Sequence, residues 1–122
     1  MKSNDVERIE SHLKEAGQVI LATVGLSAQV SDVADAAIAS LKAGGTIFWC
    51  GNGGSAADSQ HLAAELIGRY KHERKAISSI ALTTDTSALT ALSNDFGFEF
   101  VFSRQLEGLA RPGDVLVALT TS

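Results

Sequence analysis

The chain has 122 residues, and its 10 Lys+Arg against 14 Asp+Glu give a formal net charge of −4 at pH 7. This length suits one domain, and an apolar content of 45% is enough for a core, which excludes general disorder. A mildly acidic chain without a basic block is unsuited to nucleic acids and anionic membranes. A single cysteine, Cys50, excludes an internal disulfide framework.

An apolar stretch at 19–24 could be mistaken for the core of a signal peptide. The residues before it mix acidic with basic side chains, whereas signal peptides need a positive leader that is poor in acids. No uninterrupted apolar run reaches the roughly 18 residues needed to span a bilayer. We therefore expect a cytoplasmic protein that does not cross a membrane.

Two amphipathic helices are predicted at the start of the chain. In each of them apolar residues recur at spacings of three and four, which is typical of one helical stripe. The two helices could pack on each other, on a sheet or on a partner chain. The first is the better candidate for an oligomer contact, because nothing before it in the sequence can cover it. The stripes are Val6, Ile9, Leu13, Ala16, Ile20 and Val24, then Val30, Val33, Ala37, Ile38 and Leu41.

Three short apolar runs, at 46–50, 77–82 and 115–119, predict buried strands. Helical patterns separate them, and this alternation is typical of an α/β domain with a parallel sheet. Three strands make a thin sheet, so we expect the chain to be the first part of a longer domain. On this interpretation residues 1–122 belong to one domain, with leading helices at 1–44 and an incomplete sheet at 45–122.

A glycine-rich loop, Gly51-Asn52-Gly53-Gly54-Ser55, joins the first strand to the next helix. Glycines allow a ligand to approach closely, and the helix presents free N–H groups and the positive end of its dipole. A phosphate suits this loop, with the Ser55 hydroxyl as a further donor. The alternative is a plain turn in which Ser55 caps the helix and Asp58 completes a capping box.

The same loop satisfies the loose dinucleotide pattern G-x-G-x-x-A through Gly51, Gly53 and Ala56. That pattern needs an acid roughly 20 residues further on to bind a ribose. Residues 75–82 contain no acid, and Asp85 comes late. A nicotinamide cofactor is therefore disfavoured.

The helix that follows the loop carries His61 and Glu65 in one polar stripe. Residues four apart project side by side from a helix. An imidazole nitrogen and a carboxylate oxygen suit zinc, which needs at least one further ligand, and Glu65 could instead be a general base. An ordinary solvated pair is the alternative, although this stripe has no lysine.

Two further polar segments could face a ligand. Asn94-Asp95-Phe96-Gly97 is a turn signal whose carboxylate could reach a ligand or cap a helix. Thr120-Thr121-Ser122 follows the third strand and is either a second phosphate loop or a polar tail. Ligands bind at the carboxyl edge of open α/β sheets, where this segment is placed. Residues 71–75 look like an exposed helix end and are given no role.

The sequence resembles phosphoheptose isomerases (sedoheptulose 7-phosphate isomerases) of the sugar isomerase (SIS) family over its whole length. The likeness is carried by CGNGGSAAD at 50–58 and QHLAAELIGRY at 60–70. It continues in order and spacing at 94–99, 102–105 and 114–116.

The resemblance implies a three-layer, doubly wound parallel α/β sheet of the SIS fold, with leading helices that build a homotetramer. It implies one zinc ion per subunit site, bound by His61 and Glu65 and by a Gln and a His beyond residue 122. Glu65 is also the implied catalytic base, and its division between base and ligand stays open. The implied substrate contacts are Asn52, Gly53, Gly54, Ser55, Glu65, Asn94, Asp95, Thr120, Thr121 and Ser122.

The implied reaction converts D-sedoheptulose 7-phosphate to D-glycero-D-manno-heptose 7-phosphate by enediol-type proton transfer, for the lipopolysaccharide core or another surface glycan. Because part of the implied zinc site lies beyond residue 122, we expect the chain as written to lack a complete catalytic site. Two alternatives are a non-catalytic SIS protein that binds the replication initiator and a sugar-phosphate-sensing domain. The first resembles this sequence less at His61 and Glu65, and the second would not need Glu65.

Overall fold

The computed structural model describes residues 2–121. The chain forms two compact units, one that ends at Asp35 and one that begins at Ala36. The boundary falls inside the second long helix, so each unit is described by itself. Assignment of both units to a single domain stays a prediction.

The first unit is helical, as the two apolar stripes predict. Helix α1, Lys2–Ala22, leads through a 3-10 turn, Thr23–Leu26, into helix α2, Ser27–Lys42. At the junction the Thr23 hydroxyl donates to the Ile20 carbonyl oxygen at 2.6 Å, a back-bond that is typical of bent helices. Every residue from 4 to 35 is exposed, so the apolar stripe of this unit has no cover within it.

The helical stretch Asn4–Lys42 is also long and apolar enough, by length and composition alone, to cross a membrane, with a mean hydropathy of 1.3 in its best window. No single uninterrupted run of apolar residues in this stretch is long, but the mean hydropathy over 18 consecutive residues is as high as in membrane-spanning helices. Core helices of soluble proteins and signal sequences share this length and composition. The expectation that no membrane is involved therefore stays a prediction.

The second unit contains the parallel sheet. Strands β1, Ile47–Cys50, β2, Ser79–Ala81, and β3, Val115–Ala118, lie in the order β2-β1-β3. Helix α3, Gly54–Ile67, connects β1 to β2, and helices α4, Thr86–Phe96, and α5, Ser103–Leu109, connect β2 to β3. A short 3-10 turn, Phe98–Phe100, separates α4 from α5. All three predicted strands are confirmed, with ends shifted by a few residues.

The topology gives the sheet a helical layer on each face. The first connection leads from β1 to β2 on one side of it, and the second leads from β2 past β1 to β3 on the other side. Because such crossovers are right-handed, opposite directions place their helices on opposite faces. Phe102 and Leu106, at the start of α5, pack on Phe48, Cys50 and Leu82. The predicted three-layer, doubly wound arrangement follows.

Burial is greatest on the central strand, where Ile47 and Phe48 are almost completely covered. The β1 side chain of Trp49 donates through its indole N–H to the Ser79 hydroxyl of β2 at 2.8 Å. Strands β2 and β3 differ from the prediction of buried strands, since Ile80 is 39% and Leu116 is 44% exposed. Both strands are edges of this three-stranded sheet, and only the central strand β1 has a neighbour on each side.

Candidate functional site

A cleft of about 300 Å³ opens at the carboxyl edge of the sheet, between the ends of β1 and β3. Its position is the point where the strand order reverses, which is where open α/β sheets bind ligands. The Leu119 amide donates to the Cys50 carbonyl oxygen at 2.8 Å, which fixes the two strand ends side by side. The lining residues include Gly51, Asn52, Ser55, Phe102, Thr120 and Thr121.

Two glycines are required by the shape of this loop. A Cβ on Gly51 would lie 2.7 Å from the Ser55 Cβ and 2.8 Å from the Leu119 carbonyl oxygen, closer than real Cβ atoms approach. Gly53 has a φ of +57°, in the region that favours glycine. The glycines therefore serve close packing of β1, α3 and the end of β3, and a tight entry into α3.

The N-terminus of α3 carries no side-chain cap. Gly53 is the N-cap residue and makes no side-chain cap hydrogen bond, so the capping-box alternative through Ser55 and Asp58 is wrong. The Ser59 hydroxyl instead donates to the Ser55 carbonyl oxygen at 2.8 Å. The Ser55 amide donates to the Asn52 carbonyl oxygen at 3.0 Å and the Ala56 amide to the Gly53 carbonyl oxygen at 3.1 Å, so these N–H groups are used within the turn. The positive end of the helix dipole still lies beside the cleft, an arrangement suited to an anion.

One wall of the cleft is apolar. Phe102 and Cys50 line it, and burial raises the pKa of the Cys50 thiol. A thiol with a raised pKa stays protonated at neutral pH and is a poor nucleophile. The chemistry of the cleft therefore rests on its hydroxyls and backbone N–H groups.

His61 and Glu65 form the predicted pair on α3. The His61 Nε2 lies 3.6 Å from the Glu65 Oε1, and their side chains are 74% and 31% exposed. The imidazole nitrogen and the carboxylate oxygen, both possible zinc ligands, lie one turn apart on one face of the helix. This arrangement fits half of a tetrahedral zinc site. Across residues 2–121 no group of three or more His, Cys, Asp or Glu side chains could hold a metal.

The pair and the cleft occupy different positions along α3. At about 1.5 Å of rise per residue, Glu65 lies roughly 15 Å further along the helix axis than Ser55. Neither His61 nor Glu65 lines the cleft. The helix therefore presents an anion-type site at its start and a carboxylate–imidazole pair in its second half.

Asn94 and Asp95 differ from the prediction. They lie in the last turn of α4 rather than in a loop, and the helix ends at Gly97, whose φ is +103°. Both are exposed, and the Asn94 side-chain N–H donates to the Asp95 Oδ1 at 2.9 Å. Neither lines the cleft. Ser122, the last predicted contact, lies outside the described residues.

The sequence interpretation missed Arg74, which it left in the segment without a role. The Arg74 guanidinium donates to the carbonyl oxygens of Glu65 at 2.7 Å and Leu66 at 2.8 Å, and also to those of Lys75 and Gly68. Basic side chains beyond a helix end commonly bind its last carbonyls. An arginine shortly after the predicted end of this helix was the signal.

Comparison with known proteins assigns nearly the whole chain to one family. A family profile described as SIS domain matches residues 6–122. Phosphoheptose isomerase 1 of Campylobacter jejuni is 54% identical over 96% of this chain and 63% of its own length. Phosphoheptose isomerase of Akkermansia muciniphila is 60% identical over 83% of this chain and 53% of its own length.

A solved structure gives the same result for the fold. The phosphoheptose isomerase GmhA from Neisseria gonorrhoeae matches with a TM-score of 0.87 and 44% identity, over 95% of this chain and 60% of that one. The chain thus spans less than two thirds of the relatives that it matches. The predicted resemblance and SIS fold are confirmed, and the names of the relatives favour the isomerase over the initiator-binding alternative.

Proposed function

Because the chain belongs to the SIS domain family, we propose that the protein is a phosphoheptose isomerase. It converts D-sedoheptulose 7-phosphate to D-glycero-D-manno-heptose 7-phosphate. The observation that carries this proposal is the layout of α3, which begins at an anion-type cleft and presents a half-buried carboxylate further along.

The substrate has the matching layout. Its phosphate is on C7, whereas proton transfer takes place between C1 and C2 at the other end of the sugar. An enzyme for this substrate needs its phosphate site and its base well apart, and the cleft and Glu65 are separated along the axis of α3. An enzyme for a shorter sugar phosphate would need them closer together.

The cleft binds the phosphate in this proposal. The hydroxyls of Ser55, Thr120 and Thr121 supply hydrogen bonds to its oxygens, and the positive end of the α3 dipole stabilises its negative charge. Asn52 lies in the same lining. Binding energy from this remote group is used to orient the reacting carbons.

Glu65 is the general base. Its carboxylate removes a proton from C1 of the open-chain ketose, and the electron pair of the C–H bond forms the enediolate. Return of a proton to C2, with a proton shift from the C1 to the C2 oxygen, gives the aldose. The Glu65 side chain is 31% exposed, so its carboxylate is half-buried on α3 and still accessible to a substrate.

His61 and Glu65 would also hold one zinc ion. When bound, zinc polarises a carbonyl oxygen and stabilises the negative charge that develops on it. The pair supports this proposal through its donor types and its spacing of one turn, and it supplies two ligands of the usual four. A carboxylate that binds a metal is a weaker base, so the two roles of Glu65 compete.

The protein is a homotetramer in this proposal, assembled through its leading helices. The support is the apolar stripe of α1, where Leu13 and Ile20 are both largely exposed, since such a surface is usually covered in an oligomer. Light scattering on the purified protein should give four times the chain mass, and Ile20→Asp should lower it. A monomeric wild-type protein would contradict this part. A cytoplasmic location and the glycan supplied remain predictions.

Incubation of the full-length protein, with the implied Gln and His beyond residue 122 present, with sedoheptulose 7-phosphate in D₂O tests the activity. We expect the aldose product with deuterium at C2, because the enediolate takes a proton from the solvent-exchanged base. NMR of the product distinguishes this position. Absence of product would favour the initiator-binding or sensing alternatives, and product without deuterium would contradict transfer through an exchanging base.

A further inference from the structure

Arg74 holds the end of the helix that carries Glu65. Its Nη2 donates to the Glu65 carbonyl oxygen at 2.7 Å, and its Nη1 donates to the Leu66 carbonyl oxygen at 2.8 Å. The same Nη1 lies 3.2 Å from the Gly68 carbonyl oxygen and 3.1 Å from that of Lys75. One guanidinium therefore ties the last turn of α3 to the segment that follows it.

Elementary helix chemistry explains why this contact is needed. The last four carbonyl groups of an α-helix have no partner within the helix, and they carry the negative end of its dipole. A cation with several donors in a rigid plane satisfies them best, which favours arginine over lysine. The Ile77 amide also donates to the Leu66 carbonyl oxygen at 3.0 Å, so two groups anchor this turn from the same segment.

The side chain of Glu65 has little else to fix it. Within residues 4–121 its ion-pair partner is His61, at 3.6 Å, and that imidazole is 74% exposed. The position of the carboxylate is therefore set mainly by the backbone from which it projects. The shortest hydrogen bond that Arg74 donates, at 2.7 Å, goes to the backbone carbonyl oxygen of Glu65 itself.

We propose that Arg74 is a positioning residue for Glu65, which fixes the last turn of α3 so that the carboxylate meets the reacting carbons. This inference rests on the proposed isomerase function. Displacement of a catalytic group by about 1 Å can lower a rate by about a hundredfold. Arg74 does not itself contact the substrate in this proposal.

Arg74→Gln in the full protein tests the inference. We expect kcat to fall by about ten- to a hundredfold, with KM changed less than about threefold, because the phosphate end of α3 is remote from Arg74. Arg74→Lys keeps the charge but not the fork of donors, so it should not restore kcat. A wild-type kcat in Arg74→Lys, or a rise in KM with kcat unchanged, would overturn the proposal.

A matched control separates positioning from general loss of stability. Asp114→Ala removes two backbone hydrogen bonds, from Thr46 and Arg111, just before β3, the edge strand on the other side of β1 from β2. We expect it to lower the melting temperature while kcat stays near the wild-type value. An equal fall of kcat in both variants would show that Arg74 acts through stability alone.

Amide hydrogen exchange measures how firmly Arg74 holds the last turn of α3, and it needs no assay of activity. In Arg74→Gln the amides of residues 66–70 should exchange faster, whereas those in the first turn of α3 should not change. Unchanged exchange at 66–70 would overturn the inference whatever the activity is. An inactive wild-type protein would instead refute the proposed function, and the exchange data would still decide whether Arg74 anchors this turn.

Discussion

Gly51 and Leu119 approach each other so closely that no side chain fits between them. A Cβ on Gly51 would lie 2.8 Å from the Leu119 carbonyl oxygen, while the Leu119 amide donates to the neighbouring Cys50 carbonyl oxygen. The contact joins the end of the central strand to the end of β3. The width of the cleft is therefore set by backbone atoms, which cannot move aside as a flexible side chain can.

Gly51→Ala should both destabilise the fold and impair phosphate binding. Overpacking against backbone costs about 1–3 kcal/mol, and the shift needed to relieve it would move Ser55 in the cleft. Thermal unfolding and calorimetric titration with inorganic phosphate measure the two effects. Gly108→Ala is the control, because it lies in α5 with open space around it, and it should gain roughly 0.5 kcal/mol. Normal phosphate binding by Gly51→Ala would contradict this account of the cleft.

Glu65→Gln should lower kcat by about a hundred- to ten-thousandfold, the usual contribution of a general base. The amide keeps the size of the carboxylate, so circular dichroism and the melting temperature should match the wild type. Glu73→Gln is a suitable control, because Glu73 is an exposed partner of Arg69 outside the proposed site. Retained turnover in Glu65→Gln would remove this carboxylate from the mechanism.

His61→Ala should lower the zinc content of the purified protein, since it removes one of the two proposed ligands on α3. Elemental analysis after dialysis against a weak chelator provides the measurement. His72→Ala controls for general effects of histidine loss, because His72 is exposed and has no assigned role. Equal zinc content in both variants would show that the His61–Glu65 pair is a surface pair.

The contribution of Asp114 to stability should depend on pH. The backbone N–H groups of Arg111 and then Thr46 hold the pKa of this carboxyl below its usual range. A lowered folded-state pKa gives stability that is complete at neutral pH and lost as the pH falls through about 4 and below. The difference in melting temperature between wild type and Asp114→Asn should therefore shrink toward acidic pH. A constant difference down to pH 3 would contradict this assignment.

The order of helices and strands could be predicted because the leading helices carry apolar residues at spacings of three and four, whereas the strands are short continuous apolar runs. The entry to α3 was harder. A serine in the right place suggested a cap, but the backbone at Gly53 turns with a positive φ, which leaves Ser55 inside the first turn. Only the backbone geometry distinguishes these two arrangements.

The candidate site was predicted in its parts but not in its layout. The hydroxyls of Thr120 and Thr121 reach the same cleft as Asn52 and Ser55, because parallel strands end at one edge. Asn94 and Asp95 continue α4, since Gly97 is where that helix ends. The position of Arg74 shortly after the predicted end of α3 indicates a contact with the last carbonyls of that helix, but which carbonyls it contacts depends on the return of the chain toward α3.

The indole of Trp49 is hydrogen-bonded to Ser79 across two strands, one residue before the strand end that borders the cleft. These 122 residues contain a single tryptophan, so fluorescence from this part of the protein arises from one known place. A change in its emission on addition of phosphate would report on occupancy of the neighbouring loop. Stopped-flow measurements can then follow ligand association without any label attached to the protein.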